Sequence, residues 1–562
     1  MSVLHVSQIA KKIKELFDKS LDLSDIGDSD RERDVKILTR SLSAYAIYHI
    51  IGCSVEDAAA SIVDGGDDNG IDAIFYSPSL KQMVVVQSKW KKSGTGEPDS
   101  AEVGKFCQGI RDLFNLNFDR FNEKMRKKQT TIEHALEEFD TRYSIIIIDT
   151  GDRGLSEHSQ RQIDDLINEM NDAGEGVSEP LVSFDRLNQG KVHSSLALSV
   201  GSSPIELEVG LSQWGKITEP HGAYFGMIAA EEVAQWWENY GRRLFEKNLR
   251  QVLGSTEVNE EIKQSLIKSP DKFWYYNNGI TIVADKIEKS MLGGTSRESG
   301  TFKLHGAQIV NGAQTVSTIG RFVESEAGAL TGVWINARLI SLDDAPDGFG
   351  AKVTRANNRQ NRIESRDFVS QDPEQIRLKT ELSIDGIDYN IVRSETFKAT
   401  SKSFDLQEAT SALACATGKA NMAVQAKREI GKFYEDLTKG IYKEVFNASV
   451  SGIFVWNCVR SARIIDKYLQ SSIDKLPKRS GRKYGLMIHG NRIIILLVFI
   501  KLNISRKAEG VDFILDESGI QNCTREIVDL VFDYLEREYP DSMMGTLFKN
   551  ATKCRKIVEN VT

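Results

Sequence analysis

An acidic, glycine-rich turn followed by two apolar runs constrains the fold of this chain more than any other segment. The turn reads Asp-Gly-Gly-Asp-Asp-Asn-Gly-Ile-Asp over residues 64–72, and the apolar runs cover residues 71–77 and 83–90. Both runs have strand length and are rich in β-branched and aromatic residues, and residues 78–81 between them form a turn signal. The pattern predicts a β-hairpin whose apolar strands lie inside a covered sheet.

The register of this hairpin predicts which polar side chains meet. With the turn centred within residues 78–81, Asp72 lies opposite Gln87. Because side chains alternate across a strand, Gln87 and Lys89 share one face, whereas Ser88 points the other way. We therefore expect Asp72, Gln87 and Lys89 to converge in a covered sheet. An ionised Asp and Lys are costly there unless they are paired or bound to a ligand.

These residue types suit metal-dependent hydrolysis of a phosphodiester. The oxygens of Asp72 and Gln87 are hard ligands for Mg²⁺ or Mn²⁺, and Lys89 could steady or deprotonate the attacking water and offset phosphate charge. Gln87 carries no charge, so weaker metal binding is expected than with Glu at this position. The competing interpretation is a solvated lysine beside an unrelated loop, because Asp-Gly clusters commonly form loops.

The segments Gly70-Ile-Asp72-Ala and Val86-Gln87-Ser-Lys89 resemble the PD-(D/E)XK restriction-endonuclease-like core, in the subgroup where Gln replaces the second acid. The resemblance implies a metal-dependent DNA endonuclease with Asp72, Gln87 and Lys89 in the motif positions. Such cores often add an acid from a preceding helix. The candidates for an additional metal ligand are Glu56, Asp57, Asp64, Asp67 and Asp68, and the sequence does not choose among them. Ser54 and Asp57 also fit an ordinary helix cap.

Length and composition set the broad class of protein. At 562 residues, the chain suggests about three domains. A net charge of −8 does not exclude nucleic-acid binding, because a local basic groove supplies phosphate contacts. The six cysteines lack paired spacing, which predicts reduced thiols and no zinc site. The N-terminus lacks a signal-peptide pattern and the apolar run 493–500 is too short to span a bilayer, so we expect a cytoplasmic protein without a membrane partner.

Three segments are predicted along the chain. Residues 1–195 alternate helical and strand patterns, which predicts a mixed α/β sheet with helical cover. Residues 205–405 are expected to form an α+β domain, and residues 406–562 a bundle of antiparallel helices. The basic residues of the first segment that we expect at nucleic acid are Lys91, Lys92, Lys127 and Lys128. A solvated charged face is the alternative for them.

The middle segment contains three unusual stretches. Residues 273–283, Phe-Trp-Tyr-Tyr-Asn-Asn-Gly-Ile-Thr-Ile-Val, predict a hairpin with an Asn-Gly turn. Residues 305–315 predict a strand that breaks at Asn-Gly into a helix, where amides and hydroxyls could bind phosphate or sugar, although turn chemistry explains them equally well. In the third stretch, four arginines could form one helical stripe along a phosphate backbone, unless the helix breaks near Asn358. They are Arg355, Arg359, Arg362 and Arg366.

These stretches, together with residues 244–250, resemble the AIPR family, which is named for abortive infection and phage resistance. The resemblance extends from about residue 215 to about residue 450. In that family an N-terminal nuclease-like segment often precedes this region. The resemblance implies bacterial antiphage defence, but it supplies no mechanism for the middle domain.

Two functions from different classes follow from the sequence. The first is a Mg²⁺-dependent endonuclease acting on DNA, with the AIPR region regulating activation or substrate engagement. RNA cleavage is a variant, because metal-assisted hydrolysis does not itself distinguish the sugar. The second is a nucleic-acid-binding or sensor module with weak or no nuclease activity. Expected partners are DNA or RNA, other defence-system proteins, and a second copy of the chain, since cutting both strands with one site per chain usually takes a dimer.

Overall fold

The computed structural model describes most of the chain, and two compact units can be distinguished in it. The described residues are 2–78, 80–174, 180–201, 204–245, 257–290, 297–325, 330–346, 348–360, 369–392, 397, 399–510 and 513–561. The first unit combines Met1–Gly190 with Ile363–Thr562, and the second unit is Lys191–Arg362.

The N-terminal part of the first unit alternates helices and strands. Its helices are α1 (Ser2–Phe17), α2 (Arg33–Ile51), α3 (Val55–Ala60), α4 (Ser100–Phe114), α5 (Glu123–Lys127), α6 (Gln129–Glu137) and α7 (Glu157–Asn171). Its strands are β1 (Ala73–Ser77), β2 (Gln82–Lys89), β3 (Arg142–Asp149) and β4 (Val182–Leu187). They form one sheet in the order β1-β2-β3-β4, in which β1 and β2 are antiparallel and the other pairs are parallel. The predicted mixed α/β sheet is therefore confirmed.

The predicted hairpin is confirmed together with its register. Ala73 pairs with Val86 and Ser77 with Gln82, so Asp72 lies opposite Gln87. The central strands β2 and β3 are buried along nearly their whole length, as expected for apolar strands covered on both faces. Ser54 accepts a hydrogen bond from the backbone N–H of Asp57, which confirms the predicted cap of α3.

The C-terminal part of the first unit is helical, as predicted. The helices are α14 (Pro373–Ile384), α15 (Leu406–Ala416), α16 (Ala420–Arg428), α17 (Gly440–Val445), α18 (Gly452–Asp474), α19 (Arg482–His489), α20 (Asn491–Leu502), α21 (Ile504–Lys507), α22 (Glu517–Glu538), α23 (Met544–Leu547) and α24 (Ala551–Val561). Two short parallel strands, β12 (Asp388–Asn390) and β13 (Ser403–Asp405), precede α15.

The two parts of the first unit share one hydrophobic core. Phe114 and Tyr143 belong to the same buried cluster as Leu547 and Phe548. Hydrogen bonds join the parts as well: Met544 N donates to Asn115 Oδ1 at 2.8 Å, and Arg142 Nη2 donates to Glu429 Oε1 at 2.9 Å. Residues more than 400 positions apart thus fold as one body.

The second unit is built around a sheet of seven strands in the order β10-β7-β11-β6-β5-β9-β8. The strands are β5 (Leu207–Ile217), β6 (Ala223–Ala229), β7 (Ile280–Ala284), β8 (Lys286–Lys289), β9 (Ser299–His305), β10 (Gln308–Asn311) and β11 (Trp334–Ser341). The helices that begin in or run into this unit are α8 (Gln189–Gly201), α9 (Ala230–Tyr240), α10 (Glu257–Lys268), α11 (Phe273–Tyr276), α12 (Ala313–Ser325) and α13 (Phe349–Gln360). Its own buried cluster runs from Ile205 to Leu339.

One expectation for the second unit is wrong. Residues 273–276 form the short helix α11 instead of the first arm of a hairpin, and the sheet neighbours of β7 are β10 and β11. Asn277 explains the difference, because its side-chain oxygen accepts from Gly279 N at 2.9 Å and closes a local turn before β7. The alternative of a helix break near Asn358 does not hold within the described residues, because α13 continues through Asn358 to Gln360. The predicted strand-to-helix break at Asn311-Gly312 is confirmed.

The predicted arginine stripe falls partly on α13 and partly outside the described residues. Arg355 and Arg359 lie on α13, but their side chains are outside the described part of the structure. Arg362 and Arg366 also fall outside the described residues.

The cysteines and the apolar helices bear on two of the sequence predictions. All six cysteines are free. Within the described residues, no single helix has the length and apolar character needed to cross a membrane, although α19 and α20, bent by 72°, pass that test as a pair. The apolar residues 493–499 of α20 are buried in the core of the first unit.

The shared core leads to a prediction about fragments. Residues 1–190 alone are expected to lack cooperative thermal unfolding, because α4 and β3 lose the C-terminal helices that bury them. Residues 191–362 should unfold cooperatively, since their buried cluster lies entirely within that segment. Circular dichroism melting curves of the two fragments test this contrast. A sharp unfolding transition in the 1–190 fragment would contradict a shared core.

Candidate metal centre

The acidic turn is held in an unusual backbone conformation against α4. Asp67, Asn69 and Gly70 have φ values of 57°, 55° and 80°. Asp68 Oδ1 accepts a hydrogen bond from Gly70 N at 2.8 Å, which closes the turn. A Cβ atom at Gly109 of α4 would lie 2.1 Å from the backbone oxygen of Asn69. Glycine at position 109 therefore lets the turn lie directly on the helix.

Three carboxylates come together at this turn. Oxygens of Asp64, Asp68 and Asp72 all lie within 4.8 Å of one another. Asp68 and Asp72 are only 8% and 7% exposed. Of the other predicted acids, Glu56 and Asp67 are exposed and do not belong to this group. The structure thus places two of the candidate acids beside Asp72.

Two of these carboxylates have cationic partners. Arg40 Nε donates to Asp64 Oδ2 at 2.7 Å, and the buried guanidinium also forms two hydrogen bonds with Asp25. The Arg40 hydrogen bond holds the pKa of Asp25 well below its usual range. Lys105 Nζ donates to Asp68 Oδ1 at 3.0 Å. These contacts orient Asp64 and Asp68 and offset part of their charge.

Asp72 has a different environment. Its Oδ2 atom accepts hydrogen bonds from Ser88 N at 2.6 Å and Ser88 Oγ at 3.1 Å. Burial and the charges of Asp64 and Asp68 raise the pKa of Asp72 to about 7, although the Ser88 hydrogen bond and Lys89 act in the opposite direction. The surrounding protein therefore compensates this carboxylate only in part, and a bound cation would complete the compensation.

The side-chain oxygen of Gln87 is a buried acceptor that lacks a donor among the described residues. The side chain is 2% exposed, and its Nε2 atom donates to the backbone oxygen of Glu102 at 3.0 Å. Among the described residues, Gln87 Oε1 has no hydrogen-bond partner. An unsatisfied buried acceptor costs about 1–3 kcal/mol, so its retention indicates that something outside the described chain satisfies it.

Lys89 lies on the same strand and is paired with an acid that the sequence reasoning missed. Its Nζ atom donates to Glu102 Oε1 at 2.6 Å. Burial lowers the pKa of Lys89, but the hydrogen bond and charge of Glu102, with the charge of Asp72, outweigh it and raise the pKa. Lys89 is therefore charged at neutral pH. Sequence reasoning sought an acid in the preceding helix, whereas Glu102 lies in the first turn of the following helix, just after the capping Asp99.

The donor set fits a small divalent cation. Mg²⁺ binds oxygen at about 2.0–2.1 Å, so oxygens on one ion lie within about 4 Å of one another. The three carboxylate oxygens lie within 4.8 Å of one another, so a small contraction at most brings them to this limit. Gln87 lies opposite Asp72 in the hairpin register, and its partnerless side-chain oxygen is the candidate for a fourth donor.

The predicted nucleic-acid-binding lysines have varied surroundings. Lys92 is exposed and Lys91 half-buried just after β2. Lys127 forms an ion pair with Glu123 at 3.2 Å. Lys128 Nζ donates to the backbone oxygen of Ala60 at 2.7 Å, so this side chain already serves the end of α3. A role at nucleic acid stays a prediction for these four lysines.

The fold and the carboxylate group define a mixed α/β protein with a candidate metal centre in its first unit. A family model described as AIPR protein matches residues 245–541, which is more than half of the chain. The chain therefore belongs to the AIPR family, named for abortive infection and phage resistance. The match begins later and extends further than the expected span of about 215 to 450. No curated protein and no solved structure matches the chain.

The crowded carboxylates predict that removing one charge stabilises the metal-free protein. The pKa of Asp72 in the folded state, about 7, lies above its unfolded value near 4. The unfolded state therefore binds fewer protons between these values, and the ionised Asp72 destabilises the fold increasingly as pH rises through that window. In EDTA, Asp72→Asn should raise the free energy of unfolding by roughly 1–4 kcal/mol at pH 8 and by less at pH 5.

Thermal unfolding at both pH values, with the wild type and Asp67→Asn alongside, provides the measurement. Asp67 lies in the same turn but is exposed and outside the carboxylate group, so its neutralisation should change little. Equal melting temperatures for wild type and Asp72→Asn at both pH values would rule out the proposed charge crowding.

Proposed function

We propose that this protein is a metal-dependent endonuclease of bacterial antiphage defence that hydrolyses phosphodiester bonds of DNA. The observation that carries the proposal is the group of three buried or half-buried carboxylates next to the hairpin. The second strand of that hairpin also carries Gln87, whose side-chain oxygen has no partner among the described residues, and the charged Lys89. Membership of the AIPR family supports the defence role.

Each side chain has a defined task in this proposal. Asp72, Asp64, Asp68 and Gln87 would hold the cation, and Ser88 keeps the Asp72 carboxylate oriented through two hydrogen bonds. A bound Mg²⁺ or Mn²⁺ supplies Lewis-acid activation of water and of the phosphoryl oxygen. Lys89 offsets negative charge on the phosphate, because its raised pKa keeps it protonated at neutral pH.

The fold of the first unit supports the restriction-endonuclease-like assignment. Helices precede the hairpin, and β2 and β3 run parallel. Helix α4, which lies between β2 and β3 in the chain, covers the carboxylates and places Lys105 against Asp68. The extended chain before the turn also pairs with the hairpin through an antiparallel bridge between Ile62 and Ala73. In this proposal the AIPR region regulates activation or substrate engagement, and a dimer would supply the second site for cutting both strands.

A sensor or binding module with weak nuclease activity is the alternative. Its specific support is Gln87, which replaces a charged ligand with a neutral one and should weaken metal binding. The ion pair between Lys89 and Glu102 adds to this support, since a lysine engaged by a carboxylate is less available to phosphate.

Cleavage of plasmid DNA in Mg²⁺ or Mn²⁺ tests the proposal. Asp72→Asn and Lys89→Ala are each expected to lower the cleavage rate about 10²-fold or more, because they remove the metal ligand and the phosphate-facing charge. Asp67→Asn is the matched control and should cleave like the wild type. Absence of wild-type cleavage of DNA and RNA, including in phage-infected extracts, would favour the sensor instead.

Gln87→Glu gives an independent measure of the metal site. Adding a carboxylate should lower the Mg²⁺ concentration that gives half-maximal thermal stabilisation, because a charged ligand binds the cation more tightly. Thermal shift titrations with Mg²⁺ report this without requiring cleavage. An unchanged midpoint would show that residue 87 does not contact the cation.

A further inference from the structure

The exposed aromatic side chains of this protein are concentrated in one region. Aromatic residues are usually buried, and an exposed group of them marks an interaction surface. Among the described residues, every strongly exposed aromatic side chain lies in the second unit, within β6, α11 and β11. We call these residues the aromatic surface: Phe225 (46% exposed), Trp274 (41%), Tyr275 (75%), Tyr276 (63%) and Trp334 (37%).

The Asn-Asn-Gly turn holds part of the aromatic surface next to β11. Phe273 is 1% exposed and anchors α11 in the core, while the next three aromatic residues point outward. Asn277 links this turn to α12, because its Nδ2 atom donates to Thr315 Oγ1 at 3.0 Å. A Cβ atom on Gly279 would lie 2.5 Å from the backbone oxygen of Asn336. The end of α11 therefore lies directly against the middle of β11.

Strands β6 and β11 supply the rest of the surface. Trp334, Asn336 and Arg338 alternate with buried residues along β11 and share one exposed face. Arg338 pairs in register with Phe225. The Phe225 ring lies across β5, since a Cβ atom on Gly215 would be 2.2 Å from its Cζ atom. Because Gly215 has no side chain, the Phe225 ring packs on the backbone of β5 and stays exposed to solvent.

The polar groups of this region suit a polyanion with stackable rings. Arg338 Nη2 donates to Thr281 Oγ1 at 2.9 Å and to Asn357 Oδ1 at 2.6 Å, which fixes the guanidinium beside Phe225. The exposed Lys268 and Lys272 precede α11, with Asp271 as the acid between them. Basic side chains interleaved with exposed aromatic rings are the chemistry that binds single-stranded nucleic acid.

We infer that the aromatic surface and Arg338 form a binding site for single-stranded DNA, separate from the candidate metal centre. Bases stack on the exposed rings, and Arg338 and the lysines contact the phosphates. The basic side chains of Lys268, Lys272 and Arg338 favour a polyanionic occupant, and the exposed rings favour one whose bases can stack. The choice of DNA over RNA rests on the proposed function, because stacking does not distinguish the sugar.

Fluorescence anisotropy with the full-length protein in EDTA separates binding from cleavage. The probes are a labelled dT oligonucleotide, a U oligonucleotide of equal length, and a duplex. Binding to the dT probe should be tightest and should weaken as salt rises. Tyr275→Ala and Trp334→Ala should each weaken it about 5- to 100-fold, whereas Tyr275→Phe should retain it because the ring remains. Val323→Ala, which truncates an apolar side chain 45% exposed in the same unit, is the matched control.

The outcomes distinguish this inference from the proposed function. Wild-type protein that binds the dT probe in EDTA but cleaves neither DNA nor RNA in Mg²⁺ or Mn²⁺ would overturn the nuclease and leave this site standing. Unchanged affinity in both alanine variants, or preference for duplex, would overturn the site. Tighter binding of the U probe would overturn the assignment to DNA. Loss of self-association in the alanine variants with unchanged DNA binding would identify a protein interface instead.

Discussion

Burying several carboxylates in one short turn is the constraint around which the first unit is arranged. Oxygens of Asp64, Asp68 and Asp72 lie within 4.8 Å of one another, and their mutual repulsion would open the turn without compensation. Compensation comes from elements distant in sequence: Arg40 on α2, Lys105 on α4 and Ser88 on β2. Hydrogen bonds and ion pairs to these carboxylates thus connect α2 and α4 to the hairpin.

This compensation is incomplete at Asp72 and Gln87. Arg40 and Lys105 serve Asp64 and Asp68, while Asp72 has hydrogen bonds from Ser88 and a pKa raised to about 7. Gln87 adds an acceptor oxygen without a partner among the described residues. Carboxylates whose charge is fully compensated by protein groups gain little free energy from a bound cation. Carboxylates that are compensated only in part gain free energy when a cation binds.

The long separation between the two parts of the first unit has a structural consequence. The β3 strand, which continues the sheet beyond β2, is covered by residues that follow position 540, as the contact of Lys549 with Tyr143 shows. The family match covers residues 245–541 and therefore ends where this cover begins. The C-terminal helices and the hairpin thus pack in one hydrophobic core.

The hairpin, its register and the cap of α3 could be predicted from sequence because they depend on local alternation and turn chemistry. The helix α11 could not, because the Asn-Gly pair there is closed by the Asn277 side chain and by packing against β11. Glu102 was missed for a related reason. Its meeting with Lys89 depends on how α4 crosses β2, and sequence spacing carries no information about that crossing.

The sequence alone determined that Asp72 lies opposite Gln87, since strand pairing is a property of neighbouring residues. It also showed a surplus of candidate acids before the hairpin. Only the tertiary structure selected Asp64 and Asp68 from them and left Glu56 in solvent. The selection depends on where α2 and α4 bring Arg40 and Lys105, because a buried carboxylate is tolerated only where a cation or hydrogen-bond donor meets it.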